Sequence, residues 1–234
     1  MKSQKLTDVA AGRSRWYDDA CGTAHALELV GERWSLLILR ELMFGARRFS
    51  ELRRALPGIS ANVLTQRLVG LEQAGLLVRR LLPSPANVAV YELTPWGYEA
   101  EEPIKVLGRW AVRSPDHDPT LPLSAASLMM SFRTMFDAGR AAGLEAVIGF
   151  DLGAADRFVA TIGQGAIAVV RGDCASAGLR LTGTPEQVGA IVYGGAAAQD
   201  VGVRVDGDAP LLARFAQLFP LPEKAGIAPG AAAQ

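Results

Sequence analysis

Leu64, Leu68 and Leu71 recur four and three residues apart with polar or small side chains between them, a period that predicts a helix over Ser60–Gln73. Just before it, Phe49, Leu52 and Leu56 form a shorter apolar stripe, with Ser50 as the expected N-cap and Glu51 in the favourable first turn. Pro57-Gly58 ends that helix, Ser60 caps the next, and Gly75 breaks the second one. Leu76–Leu82 and the Val88, Val90, Tyr91–Leu93 positions then read as paired strands across a Pro83-Ser84-Pro85-Ala86-Asn87 turn. Thr94-Pro95 starts an amphipathic helix toward Val112, interrupted by Pro103, with Ile104, Leu107, Trp110 and Ala111 on one face.

A second pattern follows a proline-rich stretch at 114–123, the expected linker. A helix over Ala125–Ala142 carries Leu128, Met129, Phe132, Met135 and Phe136 on its apolar side. Strand signals come next at Ala146–Leu152, Arg157–Ile162, Ala166–Arg171 and Gly178–Thr182. Thr184-Pro185-Glu186-Gln187 is a capping box that opens a helix ending near Gly194. Val201–Val205 reads as a strand, Asp206-Gly207-Asp208 as a turn and Ala209–Phe219 as an apolar helix, while the small residues of 222–234 read as a disordered tail. The chain is thus expected to be α+β, with domains at 1–113 and 124–221.

Charge sharpens this division. Residues 1–115 hold 16 basic and 12 acidic side chains (+4), and 116–234 hold 8 and 12 (−4). Between Arg33 and Arg80 nine arginines face only Glu41, Glu51 and Glu72, a net of +6. Two short helices joined by a tight turn and followed by a basic β-hairpin make a helix-turn-helix with a wing, and positive charge on that arrangement suits duplex DNA. The face opposite the leucines carries Asn62, Gln66, Val69 and Gln73 with Thr65 on its flank, amides and methyls of the kind that read base edges in a major groove. Ser60, Arg53, Arg54 and Arg67 are the accompanying candidates, and Ser84 and Asn87 at the wing tip would donate to the sugar-phosphate backbone. An ordinary solvated helix face and a plain hairpin connection are the bland alternatives for the same residues.

The stretches LELVGERWSLLILREL, FSELRRALPGIS, VLTQRL, LEQAGLL and YELTPWG, preceded by Cys21, resemble the HxlR-type branch of the MarR-like winged-helix regulators over residues 21–113. The resemblance implies a homodimer that sets Ser60–Gln73 of each protomer into successive major grooves of a palindromic operator, with repression as the default sign of regulation. It also implies a candidate redox or electrophile sensor at Cys21, whose alternative role is simple packing. Where the family usually has a proline after this cysteine, the chain has Gly22. Trp16 and Tyr17, with the helix after the wing, are the candidate dimer contacts.

GLRLTGTPEQVGAIVYGG followed by VRVDGDAPLLARFAQLF resembles the sterol-carrier-protein-2 type of domain. This implies an α+β fold with an apolar tunnel between sheet and helices, and a hydrophobic small-molecule effector. Met129, Phe132, Met135, Phe136, Phe215 and Phe219 are the candidate lining, with plain core packing as the alternative. A lipid- or hydrophobic-ligand-binding or carrier protein whose N-terminal domain serves mainly for dimerisation is the competing function, but it leaves the arginines and the wing unexplained. His25 and His117 are the only histidines and build no catalytic or metal constellation, so no catalytic residue, metal or cofactor is expected. A polar N-terminus and the lack of a long apolar run point away from the membrane and toward the cytoplasm.

Overall fold

The computed structural model describes residues 17–153 and 156–226. In the first half the elements run α1 (Gly22–Val30), α2 (Ser35–Leu42), β1 (Arg47–Arg48), α3 (Phe49–Ala55), α4 (Ala61–Gln73), β2 (Leu77–Leu81), β3 (Ala89–Leu93), α5 (Pro95–Glu99) and α6 (Glu101–Ala111). Leu64, Leu68 and Leu71 of α4 are buried with Leu52 of α3 and Leu56 at its C-cap, as the periodicity requires. β2 and β3 pair antiparallel with Leu77 opposite Leu93 and Leu81 opposite Ala89.

Three local expectations are corrected. Arg48, not Ser50, is the N-cap of α3; its N–H donates to Glu51 Oε2 at 2.7 Å, so Glu51 closes the helix start from inside. A strand absent from the sequence reading, β1, pairs with β3 through Arg47 opposite Tyr91 and makes the wing three-stranded. The helix after the wing breaks at Ala100 rather than at Pro103, which sits inside the first turn of α6. Pro103 lacks the N–H that would reach the carbonyl of Glu99, so the helix restarts where that missing donor costs nothing.

The second half comprises α7 (Ala125–Met135), β4 (Ala146–Asp151), β5 (Arg157–Gly163), β6 (Ala166–Arg171), β7 (Leu179–Thr182), α8 (Pro185–Gly194), β8 (Arg204–Gly207) and α9 (Ala209–Ala216). The sheet order is β6-β5-β4-β7-β8, with β4 and β7 parallel and the other pairs antiparallel. Thr184 and Gln187 form the expected capping box. α7 stops at Met135 instead of Ala142, because Phe136 turns extended and the Asp137 N–H donates to the Leu218 carbonyl at 2.9 Å. The last strand lies at Arg204–Gly207, not 201–205: the Val203 N–H is held by the Ala198 carbonyl in the turn after α8. Residues 222–226 are also ordered, against expectation: Lys224 Nζ donates to the carbonyls of Val112 and Ser114 at 3.1 and 3.0 Å, neutralising the C-terminal end of α6. The rest of the expected tail lies outside the described residues.

The expected tunnel is filled. Phe132 meets Phe150, Phe215 and Phe219 at centroid distances of 5.5, 5.4 and 4.8 Å, and Met129, Met135, Phe215 and Phe219 are buried with it. Phe132 of α7 thus meets Phe215 of α9 and Phe219 beyond it where the tunnel was expected. Phe136, by contrast, borders an open groove. No described helix is long and apolar enough to cross a membrane.

The two halves share one core. Phe44, after α2, packs edge-on against Phe158 of β5 at 5.4 Å, and the Arg133 guanidinium lies 4.5 Å over the Phe44 ring. Asp156 accepts from Arg47 of β1 at 2.7 Å and from Arg171 of β6 at 2.6 Å. Buried Glu41 accepts from Ser124, the N-cap of α7, at 2.6 Å. Burial opposes ionisation of Asp156, but the hydrogen bonds and charges of Arg171 and Arg47 outweigh it and hold the carboxyl below its ordinary range.

Replacing Asp156 by alanine leaves the buried Arg47 guanidinium and the half-buried one of Arg171 without their carboxylate, and urea unfolding is expected to show a loss of about 1–3 kcal/mol. Because the folded-state value is depressed, the contribution is present above the ordinary aspartate range and disappears as pH falls below it through the folded value. The gap between wild type and Asp156→Ala should therefore narrow in acid.

Candidate nucleic-acid interface

Helix α4 is held from beneath and from one end. Its leucine face is buried, Ser60 Oγ caps its start by accepting from the Val63 N–H at 3.2 Å, and Gly75 at φ +75° ends it in a left-handed turn closed to other residues without strain. Arg67 ties it to the loop before α2: the guanidinium meets Glu32 at 2.5 Å and donates to the Arg33 carbonyl at 3.1 Å. The opposite side, Asn62, Thr65, Gln66, Val69 and Gln73, is exposed. Val69 is 47% exposed, an apolar side chain set among amides.

Not every candidate is equally free. Thr65 Oγ1 donates to the Ala61 carbonyl at 2.9 Å, which leaves its methyl and its oxygen lone pairs outward. Ser60 spends its acceptor on the cap but keeps its hydroxyl proton. Arg67 is committed to Glu32 and is the one predicted contact that the structure removes from the outward row. Arg53 and Arg54 are exposed on the last turn of α3. Ser84 and Asn87 are exposed at the wing tip, Asn87 at φ +41°.

The arginine excess divides into two sets. Arg40 and Arg47 face inward to Glu41 and Asp156, Arg67 pairs with Glu32, and Arg80 with Glu92 at 2.5 Å. Arg33, Arg48, Arg53, Arg54 and Arg79 are exposed and, among the described residues, carry no carboxylate partner within ion-pair distance. Arg33, Arg48 and Arg79 were counted in the charge but not named as contacts; their exposure depends on strand facing and loop path, which charge counting does not resolve.

A family model described as HxlR-like helix-turn-helix matches residues 29–118. The Escherichia coli HTH-type transcriptional regulator YtfH is 38% identical over 94 residues, which are 40% of this chain and 75% of that protein. The chain belongs to the HxlR-like helix-turn-helix family. The Bacillus subtilis HTH-type regulator YodB is 36% identical over 86 residues, 37% of this HxlR-like chain and 77% of its relative. The reduced form of YodB from B. subtilis is similar in structure over 43% of this chain and 100% of that one, with 32% identity and a TM-score of 0.39. By its family, these sequence relatives and the wing sheet, the chain is a winged helix-turn-helix regulator in its first half, continued by a mixed α+β half that the matched residues do not reach.

Cys21 is the exposed N-cap of α1, and the N–H groups of Thr23 and Ala24, with the Thr23 hydroxyl, lower its thiol pKa. Cys174 is buried. Among the described residues no three His, Cys, Asp or Glu side chains group in a way that would hold a metal ion.

For the exposed arginines the expected outcome of mutation is non-specific. Arg53→Ala and Arg54→Ala should each weaken binding to all duplex sequences alike and reduce the slope of log affinity against log salt by about one, read by fluorescence anisotropy at several salt concentrations.

Proposed function

We propose that this protein regulates transcription by binding a palindromic operator as a homodimer, one α4 per half-site, and that it represses by occupying that site. The observation that carries the proposal is the outward row Asn62, Thr65, Gln66, Val69 and Gln73 on a helix whose other face is locked into the core. Unpaired arginines on α3 and the wing supply the phosphate attraction that such a row needs. Ser60, Ser84 and Asn87 complete the contact set, with Arg67 acting from behind through Glu32.

The dimer rests on α6. None of its residues is buried within one chain, and Val106, Leu107 and Trp110 stand 65, 46 and 71% exposed. A second copy laid along the Leu107 side would cover Leu107 and the adjoining edge of Trp110. Trp16, the other predicted contact, lies outside the described residues, while Tyr17 is 41% exposed beside α1.

We divide the chain at 114–123 into a DNA-binding unit, 1–113, and a sterol-carrier-like sensor, 124–221. The five-stranded sheet, with α7 and α9 against one face, supports that reading of the second unit. Cys21 is a second input: its exposure and lowered pKa favour the thiolate that electrophiles attack.

Operator selection followed by footprinting and sedimentation tests this function. A dimer should protect two half-sites about 34–36 Å apart. Gln66→Ala should relax base preference by about 1–3 kcal/mol if its amide reads adenine. A consensus unchanged by that substitution removes Gln66 from readout, and a monomer bound to a single half-site contradicts the dimer. With N-ethylmaleimide near neutral pH, Cys21 should be modified well before Cys174, read by mass spectrometry.

A further inference from the structure

A groove of ≈ 900 Å³ opens between α6, the end of α7, β6 and the ordered segment after α9. Its walls come from both halves of the chain. Val106 and Trp110 of α6 line it with Phe136 and Ile167, and so do Arg109 of α6 and Arg113 in the turn just past its end. Leu107 lies on the other flank, so the groove and the proposed dimer face adjoin along Trp110 without coinciding.

The charges in the groove are unequally satisfied. Lys105 pairs with Glu102 at 2.5 Å, and Arg133 with Glu101 at 2.8 Å. Arg109 and Arg113 instead donate to neutral backbone carbonyls, those of Thr134 and Glu223. Neither has a carboxylate partner among the described residues. With Glu223 as the remaining acid in the lining, the groove carries a small positive surplus beside a strongly exposed indole. Guanidinium groups fixed at one end by backbone acceptors keep their other N–H donors for an oxyanion, in the forked geometry that suits a carboxylate.

We propose that this groove binds a monoanionic amphiphile, a carboxylate with an apolar chain or ring body. The body lies on Val106, Trp110, Phe136 and Ile167 and the carboxylate is held by Arg109 and Arg113. The volume fits a single small ligand, and the small charge surplus fits one negative charge. This places the effector outside the closed phenylalanine cluster, against the helix that carries the proposed dimer contact. It rests on the reading of the protein as a ligand-responsive regulator only for its consequence, because the binding itself is measured without DNA.

The test is calorimetric titration of the full-length protein with dodecanoate and with dodecan-1-ol, below the concentrations at which either aggregates. Dodecanoate should bind saturably, one per chain, about ten-fold or more tighter than the alcohol. Arg109→Ala with Arg113→Ala should erase that preference, leaving alcohol binding unchanged, whereas Arg109→Lys with Arg113→Lys should keep much of it. Circular dichroism confirms that the variants are folded, and Phe136→Asp should weaken both ligands if the body sits as described. Equal affinity for acid and alcohol overturns the proposal, as does an acid preference that survives removal of both arginines. Absence of binding while sedimentation shows a dimer that Val106→Asp breaks would assign the groove to a second copy and also overturn it. Binding as expected with no change in operator affinity would leave the site standing and remove its regulatory role.

Discussion

Asp156 is shared by two guanidiniums that arrive from opposite halves of the chain, Arg47 from the wing sheet and Arg171 from the larger sheet. Around this carboxylate the halves close on each other: Phe44 against Phe158, Arg133 over Phe44, and Glu41 against the cap of α7. Three arginines drawn toward one junction would repel without Asp156 and Glu41, and the carboxylates would be costly to bury without the arginines. The connection at 114–123 is exposed and turn-rich, yet buried residues on either side of it pack into one core.

That junction gives the recognition helix its setting. β1, which brings Arg47 to Asp156, is also the edge strand of the wing and leads directly into α3. α2 supplies Glu41 to the junction, and the loop before it holds Arg67 of α4 through Glu32. Short, packed connections thus join the larger sheet to both sides of the helix-turn-helix. The groove beside α6 lies against the same junction, with Arg133 contributing to each. A ligand there changes DNA affinity only to the extent that it favours one arrangement of these contacts over another.

Local chemistry makes much of this legible in the sequence. The leucine face of α4, the Ser60 cap, the Gly75 stop and the Thr184–Gln187 capping box are all short-range, and each stands where its spacing puts it. The misses share a different cause. β1 is two residues long and exists only by pairing with β3, more than forty positions away, so no period announces it. Strand β8 is set by its pairing with β7, and the early end of α7 by a bond from Asp137 to Leu218. The phenylalanines that looked able to line a tunnel fill it, because ring-to-ring distance depends on how far α7 and α9 approach. Charge count misled in the same way: Arg40, Arg47 and Arg67 belong to the basic run but spend their charge inside the molecule.

Joined at Asp156, the two halves are expected to open as one cooperative unit. Native-state hydrogen exchange of the full-length protein, followed by mass spectrometry across a urea series, tests it directly. Amides buried in α2, such as those of Ile38 and Leu39, and in β5, such as those of Phe158 and Ala160, should open with the same free energy and the same urea dependence, and Asp156→Ala should lower both together. Opening of β5 at a distinctly lower free energy while α2 stays protected, with Asp156→Ala affecting only one half, would contradict the claim.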